Sequence, residues 1–581
     1  MYQNRVLALI VMAVVTAAAC APAAPGATRA TGGEAGSSPQ QAAQPSRTLV
    51  IATKVEPTTL APRALVTTGS SPTAPAMGMF SAWLASVDGH GVSRPQLAEK
   101  LPQLNTGDWQ VFPDGQMETT YKLRSGLTWH DGAPLTAPDF VFGFQVYSNP
   151  DLGVRADEPI KYMSSVTAPD DRTVVVHWKQ SWTDADALVP AKNGGLPAMP
   201  RHVLEEKYRT SDVQTFLADP YWSTGFLGSG PYRLDKWDRG ASIEASAFDG
   251  FVEGRPQIAR LRWIFLGDEN AAVASLLSGD VHVAAGEAIS LEQGAVLNRQ
   301  WSGNGEGAVI SAPNKSRFIQ VQFKDGYSNP RAIADLRVRR AFLESANRAE
   351  LSGAILDGQV AIAHAIAGTS EEYSADMDRA VTKYPFNPQE AASLMSQAGF
   401  TKGSDGFYAD ATGQRLSLEL RSFPADPGPR EAAILTNQWK DFGADVSIYI
   451  IPNAQAQDLE QVSAYPAFRI EQSGLTGTTA PVKLTSSGIA TPANRWIGNN
   501  RGGWSNAEYD RLIETFATNL NRDERHNAMV QAMKIASDEL PILPLYYLPL
   551  VAARTANLEG PVASNSDDLA WDNTFQWHWT R

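Results

Sequence analysis

The chain has 581 residues, 43% of them hydrophobic and 19% charged, with a formal net charge of −13. That length exceeds what one compact core holds, so two or three lobes are expected of an otherwise ordinary globular composition. The acidic balance argues against a nucleic-acid partner, which asks for a basic face, and a single cysteine excludes any intrachain disulfide.

Val6–Ala19 are fourteen uncharged, mostly apolar residues behind Arg5. A positive start, a short apolar run and a small-residue end predict a secretory signal over residues 1–19. The run is too short for a membrane span, which needs about 20 apolar residues. Ala17-Ala18-Ala19-Cys20 resembles a bacterial lipobox, whose cysteine sulfur takes a diacylglycerol, although Ala17 stands where Leu is usual. Residues 21–46 hold no large apolar side chain, so 20–46 reads as a disordered tether with a reach of about 28 Å. The body is then expected at the outer face of the cell membrane, held there by lipidated Cys20.

Thr48–Ala52 opens the body as a strand, and Glu56–Leu60 reads as a loop. Thr119–Leu123, Thr173–Trp178 and Ile258–Leu266 are further strand candidates. Gly230–Leu234 starts another, and Asp238-Arg239-Gly240 is the turn before Ser242–Ala247. In Phe318–Phe323, Ile319, Val321 and Phe323 alternate with Gln320 and Gln322, the period of a half-buried strand. Asn387-Pro388-Gln389-Glu390 starts a helix, with Ala391, Leu394, Met395 and Ala398 on one stripe and Gly399 at its end. Arg430–Phe442 reads as a helix leading through Gly443 into a strand with Val446, Ile448 and Ile450 on one face. Ser505 with Glu508 and Asn521 with Glu524 start two more helices. Pro541, Pro544 and Pro549 reduce Ile542–Leu550 to an edge or crossover segment. Strands alternating with helices predict an α/β lobe.

Five blocks then match one family in order. Thr120–Val141 (TYKLRSGLTWHDGAPLTAPDFV), Gly228–Tyr232 (GSGPY), Ala272–Asp280 (AVASLLSGD), Asp335–Phe342 (DLRVRRAF) and Asn387–Phe400 resemble the peptide/nickel class of solute-binding proteins of ABC importers. The resemblance implies an α/β fold of the type II (cluster C) periplasmic-binding kind, two lobes joined by a hinge plus an inserted domain. Lobe I would comprise 47–88, 227–312 and 540–581, the inserted domain 89–226 and lobe II 313–539. The chain would cross between lobes near Ser311–Ser316 and Asp538–Pro544. It further implies a monomer without cofactor that captures a small peptide or oligosaccharide-like solute between its lobes and hands it to an importer permease.

Family peptide binders hold a peptide's amino terminus with an acidic residue in a segment that resembles Ala464–Gly474. The usual Asp is out of register, and Glu471 or Gln472 stands in its neighbourhood. The expected ligand residues are Tyr465, Arg469, Glu471 and Gln472, with Trp496 as an aromatic wall and Thr67 and Thr68 as hydroxyls from the first lobe; loop packing accounts for each of them equally well. His130, Asp131 and Asp139 suggest metal or acid–base chemistry, but turn and cap roles explain all three residue types. The eight histidines show no i, i+2 or i, i+4 pair, so no direct metal site is expected. Fifteen Trp and 62 carboxylates leave a secreted glycan hydrolase as the rival, although the chain shows no G-x-S-x-G, H-E-x-x-H or P-loop motif.

Overall fold

The computed structural model describes residues 47–580 apart from 63–72, 89–91, 153–158, 190–194, 357–359, 369–370, 425–426, 457, 476, 478 and 565–566. The signal segment, Cys20, the tether, Thr67 and Thr68 lie outside the described residues. No helix among the described residues is long and apolar enough to cross a membrane.

The strands that matter for the site are, in chain order, β1 (Thr48–Thr53), β2 (Trp109–Val111), β3 (Met117–Lys122), β4 (Met163–Asp170), β5 (Thr173–Trp178), β6 (Tyr232–Asp238) and β7 (Ser242–Ala247). They continue with β8 (Arg260–Phe265), β9 (Val283–Ala284), β10 (Gly307–Val321), β11 (Ser417–Ser422), β12 (Asp445–Ile450), β13 (Phe468–Gly474) and β14 (Ile542–Thr555). Ten of them form one mixed sheet in the order β12-β11-β13-β10-β14-β9-β1-β8-β7-β6, and β2-β3-β5-β4 form a second, antiparallel sheet. This is the α/β architecture expected.

Apolar residues gather along the large sheet into separate packing clusters. Leu49, Ile51, Trp263 and Ala552 share one cluster with Tyr121, Val174, Val176 and Trp178 of the smaller sheet. Ile319, Val321, Leu420, Phe468, Leu543 and Leu545 share another. Strands β10 and β14 pair antiparallel from Gly307↔Thr555 to Gln320↔Ile542 and so run from the first cluster into the second.

As expected, Ile542–Leu550 is an edge segment, paired with β10 on one side only despite Pro544 and Pro549; β14 gains its second strand neighbour, β9, only at Ala553 and Arg554. Proline cannot donate to a ladder and is tolerated where a bulge interrupts it. The register slips between Pro313 and Lys315, beside Pro549, and between Arg317 and Phe318, beside Pro544. On its other edge β14 meets no regular strand at this level; Ala363 N–H donates to Leu545 O and Tyr547 N–H to Ala361 O instead.

Helix ends follow the sequence signals closely. In the helix Pro388–Gln397, Asn387 accepts from Glu390 N–H, and Gly399 beyond it sits at φ 88°. The helix Arg522–Glu539 is capped by Asn521. One cap shifts by a residue: Asn506, not Ser505, accepts from Glu508 and Tyr509 N–H, because the Ser505 hydroxyl is engaged with Ser486 Oγ at 2.7 Å.

The motif residues His130, Asp131 and Asp139 are structural. Asp139 Oδ2 accepts from Thr136 N–H at 2.8 Å and Oδ1 from Arg201 N–H at 3.2 Å. Asp131 closes its turn on Ala133 N–H and pairs with His202. His130 packs against the Gly228–Tyr232 block: its N–H donates to Gly228 O and its Nε2 lies 3.0 Å from Gly230 O. Gly228 and Gly230 are glycines for want of space, since a Cβ there would stand 2.0 Å and 2.4 Å from Phe80 backbone atoms.

Candidate functional site

Strand β13 pairs with β10 in the register Gln320↔Arg469, Phe318↔Glu471 and Arg317↔Gln472. Successive side chains on a strand point to opposite faces, so Arg469 and Glu471 share one face and Gln472 takes the other. The expected ligand set is therefore split.

On the Gln472 face, its Oε1 accepts from Arg317 Nη1 at 3.2 Å. Arg317 is clamped by the fully buried Glu431, which also accepts from the Tyr546 hydroxyl. Gln472 thus belongs to a closed internal network.

The other face is different in character. The Arg469 side chain is fully buried and pairs with Glu471 at 2.5 Å, while Glu471 is 16% exposed. Arg469 also donates to Val462 O and, at 3.1 Å, to Gln320 Oε1. Its Nε has no partner among the described residues. Tyr465 is buried beneath it and donates to Val321 O at 3.4 Å; burial raises its hydroxyl pKa well above the ordinary value. Gln320 and Gln322 are buried rather than solvated, with Gln322 Nε2 donating to Ser463 O and Tyr465 O. The alternation of Phe318–Phe323 therefore separates two buried faces, one apolar and one polar, because β10 lies mid-sheet.

Three cations that the sequence did not single out complete this face. Lys324 Nζ donates to Ser463 O at 2.8 Å and to Ala490 O at 3.3 Å. It lies 4.8 Å from the Trp496 ring centroid and 5.2 Å from that of Tyr327. Lys483 Nζ donates to Gln472 O at 2.8 Å. Arg501 is half-buried, and its guanidinium makes no hydrogen bond or ion pair among the described residues. Burial, followed by the like charges of Arg469 and Arg501, brings Lys324 down to about 8. Burial lowers Lys483 and Arg501 as well, reinforced in both by Arg469. Burial also pushes the Glu471 carboxyl up, but Arg469 and Lys483 outweigh it and hold the group below the usual carboxylate range.

Trp496 is nearly buried at the mouth of this cluster and meets Tyr327 edge-on, with ring centroids 5.8 Å apart. Arg495 and Trp496 both adopt left-handed backbone, φ 53° and 62°, which costs a bulky residue of order 1–3 kcal/mol. Trp496 N–H to Thr491 O and Arg495 N–H to Pro492 O hold them there. The loop reaches β10 through Gly502, whose missing Cβ would stand 2.3 Å from Val321 O. Asn500-Arg501-Gly502-Gly503 is a local turn signal that could have drawn attention to this loop.

Chemically, the face offers the edge-to-face pair Trp496 and Tyr327 and several cation donors around the Glu471 carboxylate. Such groups can hold a ligand by hydrogen bonds and charge.

Comparison with known proteins agrees with this architecture. Residues 94–482 match the middle region of family 5 of the bacterial extracellular solute-binding proteins. The oligopeptide-binding protein AppA of Bacillus subtilis is 23% identical over 486 residues, covering 83% of each chain. The probable deoxycholate-binding periplasmic protein YgiS of Escherichia coli is 24% identical over 514 residues, covering 84% of this chain and 86% of its own. The solved ABC-transporter substrate-binding protein CtaP of Listeria monocytogenes superposes with a TM-score of 0.73 at 20% identity, covering 93% of this chain and all of that one. The matched region, spanning the smaller sheet and running to the candidate site, places the chain in family 5 of the bacterial extracellular solute-binding proteins.

Proposed function

We propose that this protein is a hinged receptor that closes on a small solute, a peptide in the first instance, and presents it to an ABC importer. The two bodies of this reading are 47–88, 227–312 and 540–581, carrying 89–226 as an insert, and 313–539. The observation that carries the reading is the β10–β14 ribbon, whose first half packs in one cluster and second half in the other. Leu543, Leu545 and Leu548 belong to the second cluster and Val551–Ala553 to the first side. This packing supports a return crossing near Leu548–Val551, opposite Ser311–Lys315 and a few residues beyond the expected Asp538–Pro544. A two-strand ribbon broken by a bulge is a suitable hinge, since few residues must absorb the rotation.

Energetics supports a solute seated between the two bodies. Carrying such a clamp from about 1% to about 99% closed takes a differential affinity of about 5.5 kcal/mol. Contacts to one body alone exist in both states and contribute nothing to that difference. The Arg469–Arg501 face of the second body is one wall of the site, and the first body supplies the other. Capture and handover need no covalent step. AppA is named an oligopeptide-binding protein and YgiS a probable deoxycholate-binding protein, which supports binding over turnover and leaves the ligand, peptide or oligosaccharide, to the pocket. After removal of the signal segment, lipidated Cys20 would anchor the receptor at the outer face of the cell membrane, where two acyl chains hold stably. A glycan hydrolase needs two carboxylates across its cleft; on the candidate face Glu471 is paired with Arg469, and Glu419, on the same sheet face, with Arg421.

Denaturing the purified protein and identifying the released solute by mass spectrometry tests the reading. A stoichiometric small molecule is expected; turnover of a chromogenic glycoside with no bound solute would contradict it.

A further inference from the structure

Charge balance at the candidate face points to the kind of solute. Lys324, Arg469, Lys483 and Arg501 are brought together from β10's end, β13, the segment after it and the 490–503 loop, and Glu471 is their one carboxylate. Arg317 nearby is already neutralised by Glu431. Removing cations from water costs several kcal/mol per ion unless counter-charge and hydrogen bonds replace the solvent. Here Glu471 is spent on Arg469, whose Nε is still unpartnered. Lys483 and Lys324 reach only backbone carbonyls. Arg501 reaches nothing among the described residues, and its half-buried planar fork matches a carboxylate in two parallel hydrogen bonds.

Resting on the receptor reading above, we propose that Arg501 and Lys483, backed by Arg469 and Lys324, form the docking site for a carboxylate of the captured solute. The ligand therefore presents an anionic end to this face, opposite in sign to the ammonium that an acidic residue would hold. Trp496 and Tyr327 would cover the adjoining part of the solute. A carboxylate can come from a peptide C-terminus or from a non-peptide organic acid, and the test separates these sources.

The full chain is titrated calorimetrically with tri- to pentapeptides as free acids, the same peptides as C-terminal amides, the N-acetylated free acids, and glutarate. Free and N-acetylated acids are expected to bind alike, within about threefold, and amidation to weaken binding about 10- to 100-fold, the loss of one charge-assisted contact. Arg501→Gln should reproduce that loss for the acids and leave the amides unchanged; Lys483→Gln gives the same comparison should the first variant fold poorly. Glutarate binding with indifferent peptides would assign a non-peptide acid. Affinity for acids should fall as pH rises through about 8, where Lys324 loses its proton.

Equal binding of acids and amides, with Arg501→Gln silent for both, overturns the carboxylate site while the receptor reading stands. A co-purified solute without an anionic group does the same. If no probe binds and no solute is released, the receptor reading falls and takes this inference with it.

Discussion

Glu471 is the residue on which the candidate face depends in the absence of solute. It neutralises a fully buried arginine, and removing one partner of such a pair typically costs about 3–5 kcal/mol because the other charge is left uncompensated. Glu471→Gln should lower stability by an amount in that range in urea unfolding, whereas Gln472→Ala, on the opposite face, should affect Arg317 and leave ligand affinity nearly unchanged. The histidines give a second test. His130 and His282 are each brought down to about 4, mainly by burial. The geometry agrees: His282 Nδ1 accepts from Val50 N–H at 3.0 Å, which requires a neutral ring, and His130 Nδ1 is buried without a partner. Between about 4 and 6.5 the unfolded chain binds the protons that the folded chain refuses. Their stabilisation is complete above about 6.5 and lost as pH falls toward 4. The stability difference between wild type and His282→Gln should therefore shrink by about 1–3 kcal/mol over that window, read from denaturation midpoints at fixed pH.

Elements whose signals are local were legible in the sequence. The caps at Asn387 and Asn521 and the turn Asp238–Gly240 rest on residues within four positions of one another, and the structure reproduces them. Elements decided by distant partners were not. The prolines of Ile542–Leu550 mark an edge segment, but only the pairing with β10 and β9 shows that the strand runs on to Thr555 and gains a second neighbour at Ala553–Arg554. The polar face of Gln320 and Gln322 read as solvent-facing because the covering residues, Ser463, Tyr465 and Arg469, lie over 140 positions away. The site suffered likewise: Arg469 and Glu471 came from one segment, but Lys324, Lys483 and Arg501 are joined to them only by folding. At this scale the GSGPY block makes a clear prediction. Gly230→Ala would press a Cβ onto the Phe80 backbone and strain the Gly230 N–H to Phe80 O bond of 3.0 Å, destabilising by about 1–3 kcal/mol. Gly240→Ala, at φ 76° in open space, should cost only about 1–2 kcal/mol. Thermal unfolding of the pair, each referred to wild type, checks the ordering.

For the whole molecule, the proposed hinge rests on the β10–β14 ribbon, which links two of the packing clusters. Its register holds the halves in one sheet, and its bulge at Asn314 beside Pro549 gives a place for rotation that breaks few hydrogen bonds. Stiffening that place should trap one state: Asn314→Pro would weaken ligand-driven closure more than it changes fold stability. A hinged receptor must move as it captures its solute. Small-angle scattering of the solute-free protein, then of the same sample with saturating solute, measures that movement directly. A smaller radius of gyration and shorter maximum dimension on binding, absent when no solute is added, is the predicted result; an unchanged profile under demonstrated saturation would contradict the hinged receptor.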